Sequence, residues 1–138
     1  LPEPKLSLAE IQSFCSRSPY NAWLGVRVTA ASDSGVEIEV PWRAELVGSP
    51  DLLTMHGGVL AAVIDVAAGL SLLAAIGRAG PAIDMRTDFH RAVRSGALRA
   101  TGRVLRTGRT ITSAEATVLD DAGRLVASGR AVYFTAET

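Results

Sequence analysis

Apolar positions recur along this chain at two spacings, and each spacing marks a different kind of element. Leu6, Leu8, Ile11 and Phe14 fall at helical intervals, with Ser7 placed as an N-cap and Glu10 three residues on. This capping-box pattern predicts a short amphipathic helix over residues 6–17, ended by Ser18-Pro19. Residues 24–31 and 35–41 read as strands separated by a turn-rich Ala31-Ser32-Asp33-Ser34 cluster. In the second of these, Val36, Ile38 and Val40 alternate with Glu37 and Glu39, which gives one packed face and one wet face. Residues 42–55 show no clear period.

A long apolar segment opens at His56 to Gly58 and runs to Ile76, closed by Gly77, Gly80 and Pro81. Val59, Leu60, Val63, Ile64, Val66, Leu70 and Leu73 form its hydrophobic stripe. Asp65 lies at helical spacing from Gly58, Ala61, Ala62, Ala68 and Gly69, small residues that permit another backbone or a ligand to approach closely. Asp65, Gly69 and Ser71 interrupt the segment. A spanning helix needs about 20 mostly apolar residues and tolerates a central carboxylate poorly, so the pattern predicts a buried helix with no membrane association.

Four strands follow, at 82–91, 97–106, 110–119 and 125–134, with turns at Gly96, Gly108 and Asp120-Asp121-Ala122-Gly123. In the first, Ile83, Met85, Thr87 and Phe89 alternate with Asp84, Arg86, Asp88 and His90. Helix, two strands, long helix and four strands describe an α+β chain in which an antiparallel sheet packs on one central helix. One helix covers one sheet face, leaving the other to water or to a second subunit.

Composition narrows the function. The chain has 138 residues, 48% of them hydrophobic and 20% charged, which fits a single domain over 1–138 and excludes a disordered chain. Fourteen bases balance fourteen acids, which argues against a nucleic-acid binder. Residues 1–69 carry eight acids and four bases, and residues 70–138 six acids and ten bases. Thirteen of the bases are arginine, suited to a small anionic ligand. The single cysteine, Cys15, excludes an internal disulfide and a Cys-rich zinc site, and is expected to be a buried small hydrophobe. No secretory-signal pattern opens the sequence, so a cytoplasmic location is expected.

The segment Met55-His56-Gly57-Gly58-Val59-Leu60-Ala61-Ala62-Val63-Ile64-Asp65 resembles the central-helix signature of hotdog-fold acyl-CoA thioesterases, of the phenylacetic-acid-degradation type. Ser18-Pro19-Tyr20 through Leu24-Gly25, Ile83-Asp84-Met85 through Phe89, and Ala122-Gly123-Arg124-Leu125-Val126-Ala127 resemble further segments of that family, so the similarity covers residues 18–135. The resemblance implies a hotdog fold: a sheet wrapped around one long central helix, here with a short N-terminal helix added. It also implies a homodimer with sheets joined edge to edge, often paired into a homotetramer, two sites at each interface, and acyl-CoA thioesters with medium-chain or aromatic acyl groups as substrates. Pro50 stands where the family usually has Asn, Leu53 where it has Gly, and Ala82-Ile83 where a Ser or Thr is common. Pro50 offers neither a side-chain amide nor a backbone donor, and this keeps a non-catalytic acyl-CoA- or ligand-binding role open as the alternative.

The chemistry follows from helix geometry. The first N–H groups of a helix have no internal partner, so those of Gly57 and Gly58 could hold the charge developing on a thioester carbonyl. His56, at the helix mouth, would orient that loop or contribute polarity near the carbonyl. Asp65 lies eight residues beyond Gly57, about 12 Å along the axis, too far to serve a ligand at its own helix mouth. A second subunit supplying the other half of the site resolves this, with Asp65 as nucleophile or general base. A structural carboxylate is the competing reading, and a polar partner is required under both. Arg91 and Arg94, and less directly Arg106 and Arg109, are candidates for gripping the CoA phosphates. Trp23 and Trp42 are expected to pack in the core or, for Trp42, to line an acyl pocket. His90, in the polar register of its strand, is expected at the surface or an interface. No metal or redox cofactor is required.

Overall fold

The computed structural model describes residues 2–137. The capping box forms at the start of α1 (Leu8–Ser16): the Glu10 N–H donates to Ser7 Oγ at 3.1 Å, and the Ser7 N–H donates to the Glu10 carboxylate at 2.8 Å. Ile11 and Cys15 face inward, while Leu8 and Phe14 remain exposed. Burial pushes the Cys15 thiol pKa upward, opposed in part by a hydrogen bond with Asn21. Ser18-Pro19 ends α1 and also begins a second helix that the pattern did not disclose, α2 (Pro19–Leu24). Ser18 Oγ accepts the Asn21 N–H, proline occupies a first-turn position where its missing N–H costs nothing, and Gly25 closes the helix at φ +75°. The first strand therefore starts late, as β1 (Arg27–Ser32).

In β2 (Gly35–Val40) the alternation holds, with Val36, Ile38 and Val40 all buried. Residues 42–55 are more ordered than their sequence suggests. They form a single 3-10 turn at Ala44–Leu46 and a small hairpin of β3 (Val47–Ser49) and β4 (Thr54–Met55). Then come α3 (Gly57–Ile76) and strands β5 (Ala82–Phe89), β6 (Leu98–Thr107), β7 (Ile111–Leu119) and β8 (Leu125–Phe134).

The main sheet is antiparallel throughout, in the order β1-β2-β6-β7-β8-β5. One face wraps α3, which buries Val59, Leu60, Val63, Ile64, Leu72 and Leu73 against it. Each such aliphatic side chain contributes about 1.5–3 kcal/mol on removal from water. The helix sits close because Gly102 clears its path: a Cβ there would lie 2.0 Å from the Ala67 carbonyl oxygen. By length and mean hydropathy (2.4) α3 could cross a bilayer, yet its apolar surface is largely consumed by the sheet. This is the hotdog architecture, a sheet around one central helix. The outer sheet face carries exposed ion pairs, Arg27–Glu39, Arg99–Glu37, Arg103–Glu115 and Arg86–Asp88.

The edge strand β5 departs from its pattern. It pairs with β8 alone, and its apolar side chains are not packed as the alternation implied: Ile83 is 59% exposed and Phe89 57%.

Candidate active site

The mouth of α3 is built by the hairpin that precedes it. The His56 N–H donates to the Leu46 carbonyl at 2.8 Å, and Gly48 of β3 leaves room for His56, since a Cβ there would meet the His56 Cα at 2.8 Å. Held in this way, His56 is the N-cap of α3, and its Nδ1 accepts the Gly58 N–H at 2.8 Å. That bond requires a lone pair on Nδ1, which assigns the ring proton of the neutral imidazole to Nε2. The Val59 N–H donates to the His56 carbonyl at 3.0 Å. Of the two glycine donors expected at the mouth, the one on Gly58 is thus engaged. The Gly57 N–H has no acceptor among the described residues. The Phe89 ring stands beside it, 3.4 Å from where a Gly57 Cβ would lie.

Two of the candidate arginines gather at this end of the molecule. The Met55 N–H of β4, one residue before His56, donates to the Val93 carbonyl at 2.8 Å. This ties the loop after β5 to the hairpin, and Arg91 and Arg94 flank Val93, both exposed and without an ion pair among the described residues. Arg106 and Arg109 lie at the opposite end of β6, around its turn into β7. In the β7–β8 turn, Asp120 accepts the Ala122 and Arg124 N–H groups and the Arg124 guanidinium. The Arg124 main-chain bond leads these effects, which hold the carboxyl below its usual range.

Asp65 is not among these groups. It lies two turns further along α3, exposed, on the wall of a cavity of about 670 Å³ that Phe14, Tyr20, Asn21, Gly69, Pro81 and Tyr133 also line. The polar partner it requires is Tyr133 of β8, whose hydroxyl lies 2.9 Å from Asp65 Oδ1 and 3.0 Å from the Asp65 main-chain oxygen. Tyr133 is buried, and the loss of solvent, then the facing carboxylate, push its pKa well above the ordinary phenol value. The sequence reading passed over Tyr133. The available signal was its place in the inward register of β8 with Ala127 and Ala131, where a tyrosine hydroxyl demands a partner.

The remaining candidates fall elsewhere. Trp42 packs against the core and is absent from the residues lining the Asp65 cavity. Trp23 is outside the core, 43% exposed, with the Arg43 guanidinium stacked 4.1 Å from its ring centre. His90 is exposed, its Nε2 2.8 Å from Ser128 Oγ. Pro50 and Leu53 lie in the β3–β4 turn, and Leu53 adopts φ +54°, the left-handed conformation that suits the glycine of the resembled family.

With this geometry in view, comparison with known proteins is informative. Residues 53–127 match the family model of the thioesterase superfamily. A candidate esterase of Halobacterium salinarum is 34% identical over 119 residues, covering 83% of this chain and 78% of its own. The medium/long-chain acyl-CoA thioesterase YigI of Escherichia coli is 27% identical over 138 residues, covering 88% of each chain. Among solved structures, a thioesterase-superfamily protein superposes with a TM-score of 0.90 at 41% identity, over 93% of this chain and 97% of its own. Zebrafish thioesterase superfamily member 2 gives 0.81 at 26% identity, over 94% and 98%.

Proposed function

The chain belongs to the thioesterase superfamily, and from that membership we propose that it hydrolyses acyl-CoA thioesters at a site shared between two of its copies. One observation carries the shared site. Strand β5 runs from Ala82, on the wall of the Asp65 cavity, to Phe89, beside the Gly57 N–H, with its outer edge unpaired. A two-fold axis at that edge pairs β5 antiparallel with a second β5, and antiparallel pairing sets the Phe89 end of one copy against the Ala82 end of the other. The helix mouth of each copy then approaches Asp65 of its neighbour. The same pairing covers Ile83, Met85 and Phe89, and the half-exposed small residues Ala61, Ala62 and Gly69 let the two central helices come close.

In this site the Gly57 N–H receives the thioester carbonyl oxygen as it gains charge. Asp65 of the other copy carries the attack. As general base it removes a proton from water while the water oxygen adds to the carbonyl carbon; the carbon–sulfur bond then breaks and the departing thiolate takes up that proton. As nucleophile it adds to the carbonyl carbon and the carbon–sulfur bond breaks, leaving a mixed anhydride and the thiolate; water then opens the anhydride to the free acid and the carboxylate, its proton passing to the thiolate. In a single turnover in ¹⁸O water, label found in the Asp65 carboxylate identifies the nucleophile route, with water attacking the aspartyl carbon of the anhydride. Arg91 and Arg94, beside the mouth, are placed to hold the CoA phosphates. Phe14 and Tyr20 give the Asp65 cavity an aromatic wall, which fits a medium-chain or aromatic acyl group and the phenylacetic-acid-degradation type of the resemblance.

The test is thiol release from a panel of acyl-CoA thioesters with Asp65→Asn as the comparison. Loss of about 10²-fold or more in kcat, with the oligomer intact, supports the reading. Equal activity in the variant overturns it. A second reading, acyl-CoA binding without turnover, draws on Pro50, which puts no amide in the β3–β4 turn. Tight binding with no thiol release from the parent protein would establish it.

A further inference from the structure

We infer that Tyr133 is a positioning residue for the reaction: its hydroxyl clamps one oxygen of the Asp65 carboxylate, so that the other oxygen is presented to the thioester and to water. The inference rests on the function proposed above. Asp65 stands on an open helix face, where an aspartate side chain is otherwise free to turn into solvent. Tyr133 has no such freedom. It is 3% exposed, and its strand is bonded on both sides, through Ala82 of β5 and Thr112 of β7. A rigid donor therefore meets a mobile acceptor at 2.9 Å, and the donor dictates the geometry.

Among the described residues no other side chain is hydrogen-bonded to the Asp65 carboxylate. Asp65 and Tyr133 apart, the one titratable side chain lining the cavity is Tyr20, from α2. α1 contributes Phe14, the 79–82 segment contributes Ala79, Gly80, Pro81 and Ala82, and no lysine, arginine or histidine lines the cavity. With no cation facing it, the carboxylate takes its stabilisation from the phenol. The bond fixes which carboxylate oxygen is held and which is free.

The second contact suits a group that changes charge during turnover. The phenol has one proton and two acceptors in reach, Oδ1 and the Asp65 main-chain oxygen at 3.0 Å. When Asp65 takes up a proton, or its oxygen forms an ester bond, the hydroxyl can turn to the main-chain oxygen. No buried polar group is then left unpaired, which would otherwise raise the barrier.

Tyr133→Phe removes one oxygen and keeps the ring. The expected result is a fall in kcat of about tenfold with KM little changed. A crystal structure of Tyr133→Phe without substrate gives a reading independent of turnover: the Asp65 carboxylate is expected to leave the position it holds in the parent. An Asp65 carboxylate that keeps its parent position in Tyr133→Phe overturns the inference whatever the kinetics show, as does an unchanged kcat. Full activity in Asp65→Asn overturns instead the function on which it rests. Tyr133→Phe in an Asp65→Asn background separates packing from positioning: no further loss in kcat is expected, and a further tenfold loss assigns Tyr133 to packing.

Discussion

At the scale of single residues, the helix mouth makes Gly57 unusually testable. Gly57 is the first helical residue of α3, where proline is well tolerated, and His56 before it has φ −60° and ψ 131°, the extended conformation a following proline requires. Gly57→Pro thus deletes the one unengaged N–H while leaving the helix able to form. We expect kcat to fall by about 10²–10³-fold with the melting temperature unchanged or slightly raised, checked by thiol release and thermal unfolding on the same preparation. A drop in stability with unchanged activity would place the glycine's value in backbone geometry. Reading residues alone singled out His56, Gly57 and Asp65 as candidates, because HGG and a carboxylate eight positions on are local in sequence. It could not separate the two glycine donors, since their difference lies in the direction of one imidazole nitrogen. Nor could it find Tyr133, which is 68 residues from Asp65 and adjacent to it through the sheet.

At the scale of elements, the turn joining β7 to β8 is stabilised by a charge. Asp120 is almost wholly shielded from water and accepts two main-chain N–H groups and the Arg124 guanidinium, so its pKa is lower folded than unfolded. A group shifted in this direction contributes its full stabilisation above its unfolded value, about pH 4, and loses it as pH falls through the lowered folded value. Asp120→Asn keeps an acceptor for the main chain and loses the ionic contact. Its melting temperature should lie below that of the parent at pH 7, and the gap should narrow towards pH 3, as followed by circular dichroism. The long elements were legible because their periods are: α3, β2 and β6–β8 occur where the alternation and the glycines place them. The short ones were hidden. Ser18-Pro19 is a stop signal and a start signal at once, and β3 and β4, with three and two residues, are too short to show a period. In β5 the alternation is genuine and its apolar side remains open in the single chain, because a pattern records that a face is to be covered without recording by what.

At the scale of the whole molecule, the proposed assembly divides each site between two chains, and mixing experiments can read that division. Asp65→Asn and Gly57→Pro each spoil both sites of their own homodimer. In a mixed dimer, one site collects both lesions and the other collects none. Co-refolding equal amounts should therefore restore about a quarter of the parent activity, since half the dimers are mixed and each has one sound site. Recovery is measured as thiol release after the two inactive preparations are combined. No recovery, with subunit exchange demonstrated by tagged chains, would return both half-sites to a single chain.

The direction of β5 has a consequence beyond catalysis. In the proposed assembly that strand carries one half-site at each end, and the working unit would not exist in an isolated copy. Specific activity would then depend on how much protein is present, and total activity would fall faster than in proportion once the chain is diluted past the point where copies separate. A cell that makes little of this protein would lose its activity before it lost the protein, and two differently damaged alleles expressed together could do what neither does alone.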